Sequence, residues 1–591
     1  MIILRCQLDA VRLHVAPIHS LPNELLSHII RSACTTVSQP PPHTPTGSKV
    51  LLLIPPPASK FSETPKFSAS AATILSLVCK RWRIVALSDI VLWSDIDISQ
   101  RRPIKQDFYH TFYHTFYDAL RWAVTCLTRS DPLTVSISVS NCTRDPMAMI
   151  GIVHLINDNG QRIRELKAFL RMTGSLLNDF SQLQSPMPNL EVLEIGCSPH
   201  PGTPPGTALP QIFSQNYPRL KHLSIQHFTS TPPQAFKNLV TLTLSYSHGR
   251  VSIDDFLALV VDSPRLEVLW IKRYLINRSA SPHPPVPVSL TRLSSITLEN
   301  CDSHLILCAL RVPNTATLRI MYPMHYLGRR PRNAITDAFP LDSTIVGPLD
   351  SARELSYGAD GTTVVFVLKD SQGDVLVHVE QGQTAPDLAS SPLASRYNAF
   401  LKTNFHDIFA LEQAAGLLGS LTTLELDLRG LPNHHLGGSR LSFWLAFFEG
   451  TPRLEVLRAS YLYTPAMMDG LNPSNNPTRK VFCPALRTLQ LDIRSGAFDL
   501  KNDWLLQVVD ATRWRGKRGS PFRDVSVYLM SSGYGHDFTL PSDAVQAMFS
   551  LRDAGVENMS FSNGTTTYRF GESLLYISAR RIYGSHTPCC R

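Results

Sequence analysis

Pro264-Arg265-Leu266-Glu267-Val268-Leu269-Trp270-Ile271 decides the fold. A proline turn is followed by apolar residues at the first, fourth and sixth positions of a phrase L-x-x-L-x-[LI]. Its last half alternates, which is the pattern of a short strand with one apolar face. The phrase returns at Leu190–Ile195, Leu220–Ile225, Leu239–Leu244, Leu293–Leu298, Leu421–Leu426 and Leu486–Leu491, and shortened at Leu454–Leu457. Several copies follow the same signal: Pro188-Asn189, Pro218-Arg219, Pro264-Arg265 and Pro452-Arg453.

From Leu190 to Leu293 the phrase advances in four steps of about 26 residues, inside the range of leucine-rich repeats. Each copy is too small to bury its leucines alone, so neighbouring copies must cover them. Between copies lie amphipathic runs such as Ile253-Asp-Asp-Phe256-Leu257-Ala-Leu259. The expectation is an α/β solenoid over 131–535, an irregular leucine-rich-repeat array of short parallel strands plus helices. Leu133–Val139 and Ile163–Phe169 begin it, and Asp503–Val509 with Val525–Leu529 close it. Near 340–415 the phrase is lost. Thr363–Leu368 and Val375–Val379, joined by a polar turn with Gly373, read there as a β-hairpin. It is either an elongated repeat or an inserted recognition element. Residues 536–591 are a C-terminal cap and tail.

Upstream the pattern is helical. In Leu21-Pro22-Asn23-Glu24-Leu25-Leu26-Ser27-His28-Ile29-Ile30, Pro22 suits a first turn, Glu24 complements the helix dipole, and Leu21, Leu25 and Ile29 form one stripe. A second helical pattern runs through Ile74, Leu77, Val78, Trp82 and Val85 and leads into Leu92-Trp93. Two such short helices bury little surface by themselves, which leaves part of the stripes for a partner.

The blocks L-P-x-E-L-L-x-x-I-I, L-x-x-V-C-K-R-W-R and L-W-x-x-I stand in that order over 18–98. They resemble the F-box, the adaptor-binding module of cullin-type ubiquitin ligases. The chain departs from the family in its length: Pro-rich residues 35–70 interrupt the module, either as a polyproline loop or as a retained intron. The resemblance implies a small all-α module that docks on a Skp-type adaptor, and through it a cullin. Carried over by position, its contacts are Leu21, Pro22, Leu25, Ile29, Val78, Cys79, Trp82, Leu92 and Trp93. F-box followed by irregular repeats is similar to the F-box/leucine-rich-repeat proteins, in particular the divergent sets of basidiomycete fungi. A tail (1–17) precedes the module and a helical linker (99–130) follows it.

The function implied is a substrate-recognition adaptor without catalysis of its own, its solenoid binding a target protein of unknown identity. Strand alternation puts Glu194, Ser224, Thr243 and Trp270 on the side facing that target. No phosphate loop, nucleophile elbow or metalloprotease signature occurs, so neither an enzyme nor a cofactor is expected. His110 and His114 sit four apart without a third ligand, so no metal is expected. Eleven cysteines without a C-x-x-C pair fit reduced thiols, and no apolar run approaches a membrane span. That places the chain in the cytoplasm or nucleus, off the membrane. A net charge of +9 is mild over 591 residues. The alternative class is a basic repeat scaffold binding nucleic acid or an acidic protein, resting on Arg513-Trp514-Arg515-Gly516-Lys517-Arg518. Cations at a helix end explain that run as well, so nucleic acid is the less favoured partner.

Overall fold

A computed structural model of the chain describes residues 21–37, 69–99, 110–142, 146–171, 181–198, 209, 211–228, 236–246, 250–277, 286–323, 346–359, 363–382, 419–427, 441–460, 465–472, 480–494, 503–530, 542–562, 566–570 and 575–579. The tail 1–17, almost all of the Pro-rich insert and Cys589-Cys590 lie outside them. The chain is α/β, with mostly parallel strands, and divides into two compact units: 1–251 with 258–263, and 252–257 with 264–591.

The first unit opens with three helices, α1 (Asn23–Val37), α2 (Ala69–Ser76) and α3 (Lys80–Ser88), and a 3-10 turn at Ile90–Trp93. Strand β1 (Asp95–Ser99), helix α4 (His110–Arg129), β2 (Val135–Cys142), α5 (Pro146–Asp158) and β3 (Ile163–Arg171) follow. Then come β4 (Val192–Ser198), β5 (His222–Gln226) and β6 (Thr241–Ser245). These six strands pair in chain order, all parallel. The phrase read in the sequence sets the register: Leu166, Leu193, Leu223 and Leu242 lie side by side, with Ala168, Ile195, Ile225 and Leu244 beside them. All eight are buried, as are the turn leucines Leu190, Leu220 and Leu239. Each leucine removed from water contributes about 1.5–3 kcal/mol, and only a neighbouring coil can remove it.

Strands β5 and β6 are each followed by a residue with a left-handed backbone, His227 (φ 66°) and Tyr246 (φ 57°), whose rings stack at 5.0 Å. His227 N–H donates to the Ser245 carbonyl, so the turned residue still joins the ladder.

The second unit repeats the scheme. It contains helix residues from α6 (Ile253–Val261), then β7 (Val268–Lys272), β8 (Ser295–Glu299) and β9 (Thr317–Pro323), paired in order and parallel. Then the order changes. The expected hairpin, β11 (Thr363–Lys369) with β12 (Val375–Gly382), is present and is preceded by a further strand, β10 (Glu354–Ala359). Strand β12 pairs parallel to β9, β11 lies antiparallel between β12 and β10, and β10 pairs parallel to β13 (Thr423–Asp427). The hairpin is therefore part of the sheet, not an appendage to it. Parallel pairing resumes through β14 (Val456–Ser460), β15 (Thr488–Arg494), β16 (Asp524–Met530) and β17 (Asn558–Ser562). That last strand lies beyond residue 535, and two antiparallel strands, β18 (Thr566–Phe570) and β19 (Leu575–Ala579), end the sheet. Helices Leu441–Gly450, Pro465–Leu471, Asp503–Lys517 and Ser542–Asp553 connect these later strands.

Candidate functional site

The three N-terminal helices hold one another by a different stripe from the one the sequence favoured. Leu26, Ile30 and Cys34, spaced i, i+4, i+8 on α1, are fully buried. Leu25 and Ile29 keep 50% and 40% of their surface exposed. The second helical pattern is broken: α2 ends at Ser76 and α3 begins at Lys80, with Cys79 as its N-cap, its sulfur accepting from Trp82 N–H at 3.5 Å. On α2 the small residues Ala69, Ala71 and Ala72 turn inward. The break leaves Ile74 (67%), Leu77 (67%) and Val78 (60%) in solvent, together with Ile84 and Leu87. Burying such side chains against a partner would be favourable by about 1.5–3 kcal/mol each, so this exposed apolar set is a candidate docking surface.

A charged clasp fixes the geometry. Arg31 donates from both Nε and Nη2 to the Asp89 carboxylate at 2.8 Å, Ser27 Oγ donates to it as well, and Asp89 also caps Val91 N–H at 3.3 Å. Burial would raise the Asp89 carboxyl, but the Arg31 and Ser27 hydrogen bonds outweigh it and hold the group below the ordinary carboxylate range. Arg81 reaches from α3 to the Leu21 carbonyl and to Asn23 Oδ1.

Of the nine residues assigned to the adaptor by position, Pro22, Leu25, Ile29 and Val78 are exposed, while Leu21, Cys79 and Trp82 are half-buried. Leu92 and Trp93 are a correction: both are completely buried. Trp93 Nε1 donates to the Ala86 carbonyl at 2.9 Å, its ring meets Trp122 edge-on at 5.5 Å, and Arg129 sits over it at 4.4 Å. They belong to the core beneath the exposed apolar set. Ile74 and Leu77, not assigned to the site in the sequence, belong to the exposed set. The signal was there, since they share the apolar pattern with Val78, but a continuous helix would have turned them elsewhere.

The four residues placed toward a target all fall on strand positions that keep contact with solvent. Glu194, Ser224 and Thr243 stand side by side on β4, β5 and β6. Lys167, their neighbour on β3, pairs with Glu194 and with Glu165 at 3.4 Å. Burial lowers the Lys167 ammonium, but the two carboxylates outweigh it and raise it. Trp270 belongs to the second unit, on β7 beside Thr297.

The basic run behind the alternative reading is split by the structure. Arg515 is fully buried, and its guanidinium donates to the carbonyls of Phe482 (2.8 Å), Cys483 (2.8 Å) and Leu486 (3.3 Å) while lying over Phe522 at 4.8 Å. Burial pulls it down to about 10. Only Arg513, Lys517 and Arg518 are exposed, with Arg518 over Trp514 at 5.4 Å.

His110 and His114 lie in α4, with side chains outside the description, and among the described residues no three His, Cys, Asp or Glu side chains could hold a metal. A groove of about 500 Å³ between α4 and α5 is lined by Leu120, Val124, His154, Asp158 and Arg162. Arg162 spends its donors on Leu133 O, Leu127 O and Ser130 Oγ, which makes it a structural tie. No helix among the described residues is long and apolar enough to cross a membrane. Compared with models of protein families and with curated proteins, the chain matches none.

Proposed function

We propose that this chain is the substrate-recognition adaptor of a Skp–cullin–F-box type ubiquitin ligase. In this reading residues 18–98 are an F-box, docking on a Skp-type adaptor, and the strand array is a leucine-rich-repeat solenoid that binds a target protein. The observation that carries the reading is the exposed apolar set Leu25, Ile29, Ile74, Leu77 and Val78, on helices whose sequence resembles the F-box. Five such anchors at about 1.5–3 kcal/mol each supply roughly 8–15 kcal/mol gross. Association costs of about 4–15 kcal/mol leave a margin that one lost anchor removes. The chain contributes no reacting group. Its work is proximity: a target held beside the ubiquitin carrier meets it at raised effective concentration.

The test is co-purification of the full chain with a Skp adaptor and cullin, alongside Val78→Glu and Trp82→Ala. Loss with both folded variants supports the reading; retention with both refutes it. The scaffold reading for nucleic acid is the weaker one, because Arg515, its central cation, is buried and spent on backbone carbonyls.

A further inference from the structure

We propose that the outer face of α3 is a second contact with the Skp-type adaptor, and that the adaptor meets it with carboxylates set beside an apolar patch. The inference rests on the reading of 18–98 as the adaptor-docking module and deepens it. Helix spacing defines the face. Lys80, Arg83, Ile84 and Leu87, at i, i+3, i+4 and i+7, are all exposed, while Val85 and Ala86 are buried. Ile84 and Leu87 keep 56% and 36% of their surface, and neither is among the five anchors of the docking reading.

The charge on this face runs against the needs of the helix. Lys80, Arg81 and Arg83 open α3, and no carboxylate stands in its first turn. That turn is the positive end of the helix dipole, where Asp or Glu stabilises and cations do not. Two of the three have uses inside the fold. Arg81 donates to the Leu21 carbonyl and to Asn23 Oδ1, and Arg83 Nε donates to the Ser76 carbonyl at 3.2 Å, at the end of α2. Lys80 has none: its ammonium makes no hydrogen bond or ion pair with a described residue. Across 21–37 and 69–94 four cations, Arg31, Lys80, Arg81 and Arg83, face two carboxylates, Glu24 and Asp89. Asp89 is spent on Arg31, and Glu24 stands on α1. The first turn of α3 is thus unfavourable in the free chain, and an anionic partner turns the same charges into attraction.

The apolar half of the face selects the kind of anion. A nucleic-acid backbone satisfies Lys80 and Arg83 but leaves Ile84 and Leu87 in water. A protein surface with Asp or Glu beside an apolar patch satisfies all four. Lys80 follows the exposed Val78 by two residues, within about 7 Å along the chain, so the face adjoins the apolar set.

The test titrates the full chain with a purified Skp-type adaptor at low and high salt. The parent binds more weakly and associates more slowly as salt rises. Lys80→Glu lowers affinity by about tenfold at low salt, chiefly through the association rate, and the gap narrows at high salt. Its thermal unfolding falls no lower than the parent's, because glutamate suits a first helical turn better than lysine. Binding and stability then move apart, which a merely structural role does not produce. Arg513→Glu makes the same change of charge at an exposed site on another helix and binds as the parent does. A Lys80→Glu variant that binds as tightly as the parent at low salt, or loses no more than Arg513→Glu, overturns the inference and leaves the proposed function standing. A short single-stranded RNA whose binding Lys80→Glu abolishes, while the adaptor stays bound, reassigns the face to nucleic acid and overturns it too. A parent chain that does not bind the adaptor removes the proposed function, and this inference with it.

Discussion

Replacing Arg515 by methionine is the sharpest probe of the later coils. The substitution keeps the length and apolar stem but removes the guanidinium that serves three carbonyls of the turn before β15. The Cys483 carbonyl retains a second donor, Leu486 N–H at 2.9 Å, so two acceptors, on Phe482 and Leu486, lose a charged donor. Each buried group left short of a partner costs about 1–3 kcal/mol. Removing one side of a buried charged contact costs about 3–5 kcal/mol, against which the desolvation of the arginine is recovered. The expected loss is about 3–5 kcal/mol, and Arg515→Lys restores little of it, because an ammonium cannot bridge three carbonyls. Urea unfolding, with hydrogen exchange followed over 480–494 and 503–517, reads both size and place. Arg513→Met and Arg518→Met, at exposed positions, shift stability by no more than about 0.5 kcal/mol. A loss below about 1 kcal/mol for Arg515→Met, with exchange unchanged in both segments, refutes the view that this arginine ties coil to coil.

Other outcomes follow from the N-terminal helices and the buried thiols. Trp93→Ala costs about 3–5 kcal/mol, as for other buried aromatics, and removes the Ala86 hydrogen bond; thermal unfolding within 1 kcal/mol of the parent contradicts its core placement. The folded Asp89 carboxyl titrates below its unfolded value of about 3.9, so its stabilisation is complete above that pH and disappears as pH falls through the folded value. Asp89→Asn therefore flattens the acid limb of the stability profile, and an unaltered limb counts against the clasp. Burial pushes Cys483 up to about 11 and Cys126 up to about 12, so neither is alkylated by iodoacetamide at pH 8 in the folded chain; rapid modification of either contradicts its burial.

Much of the strand array was legible, because a leucine that must be covered by the next coil repeats at a fixed offset, and all eight phrases became strands or their buried turns. The strand inversion was not. Glu354–Ala359 carries no such phrase, and although Thr363–Leu368 and Leu421–Leu426 were each legible as strands, their pairing on either side of it is a contact across the sheet that no local pattern gives. In the N-terminal helices the apolar residues were legible but their facing was not. The helix breaks before Cys79, which caps the next one by accepting from Trp82 N–H, and Val78, in the break, is exposed. Leu92 and Trp93 were misplaced because the partner that buries Trp93, Trp122, lies 29 residues away on another helix, beyond any local pattern. Arg515 looked like surface charge for the same reason: its acceptors are the backbone of a turn more than 25 residues upstream.

The central claim concerns the exposed apolar set, and a titration of the purified chain against a purified Skp adaptor tests it most directly. The account predicts tight binding by the parent and by Arg513→Met. It predicts at least a hundredfold loss for the folded double variant Leu25→Glu, Val78→Glu, on the basis of about 3 kcal/mol for two buried anchors. Absence of binding by the parent, or equal affinity in the double variant, contradicts it.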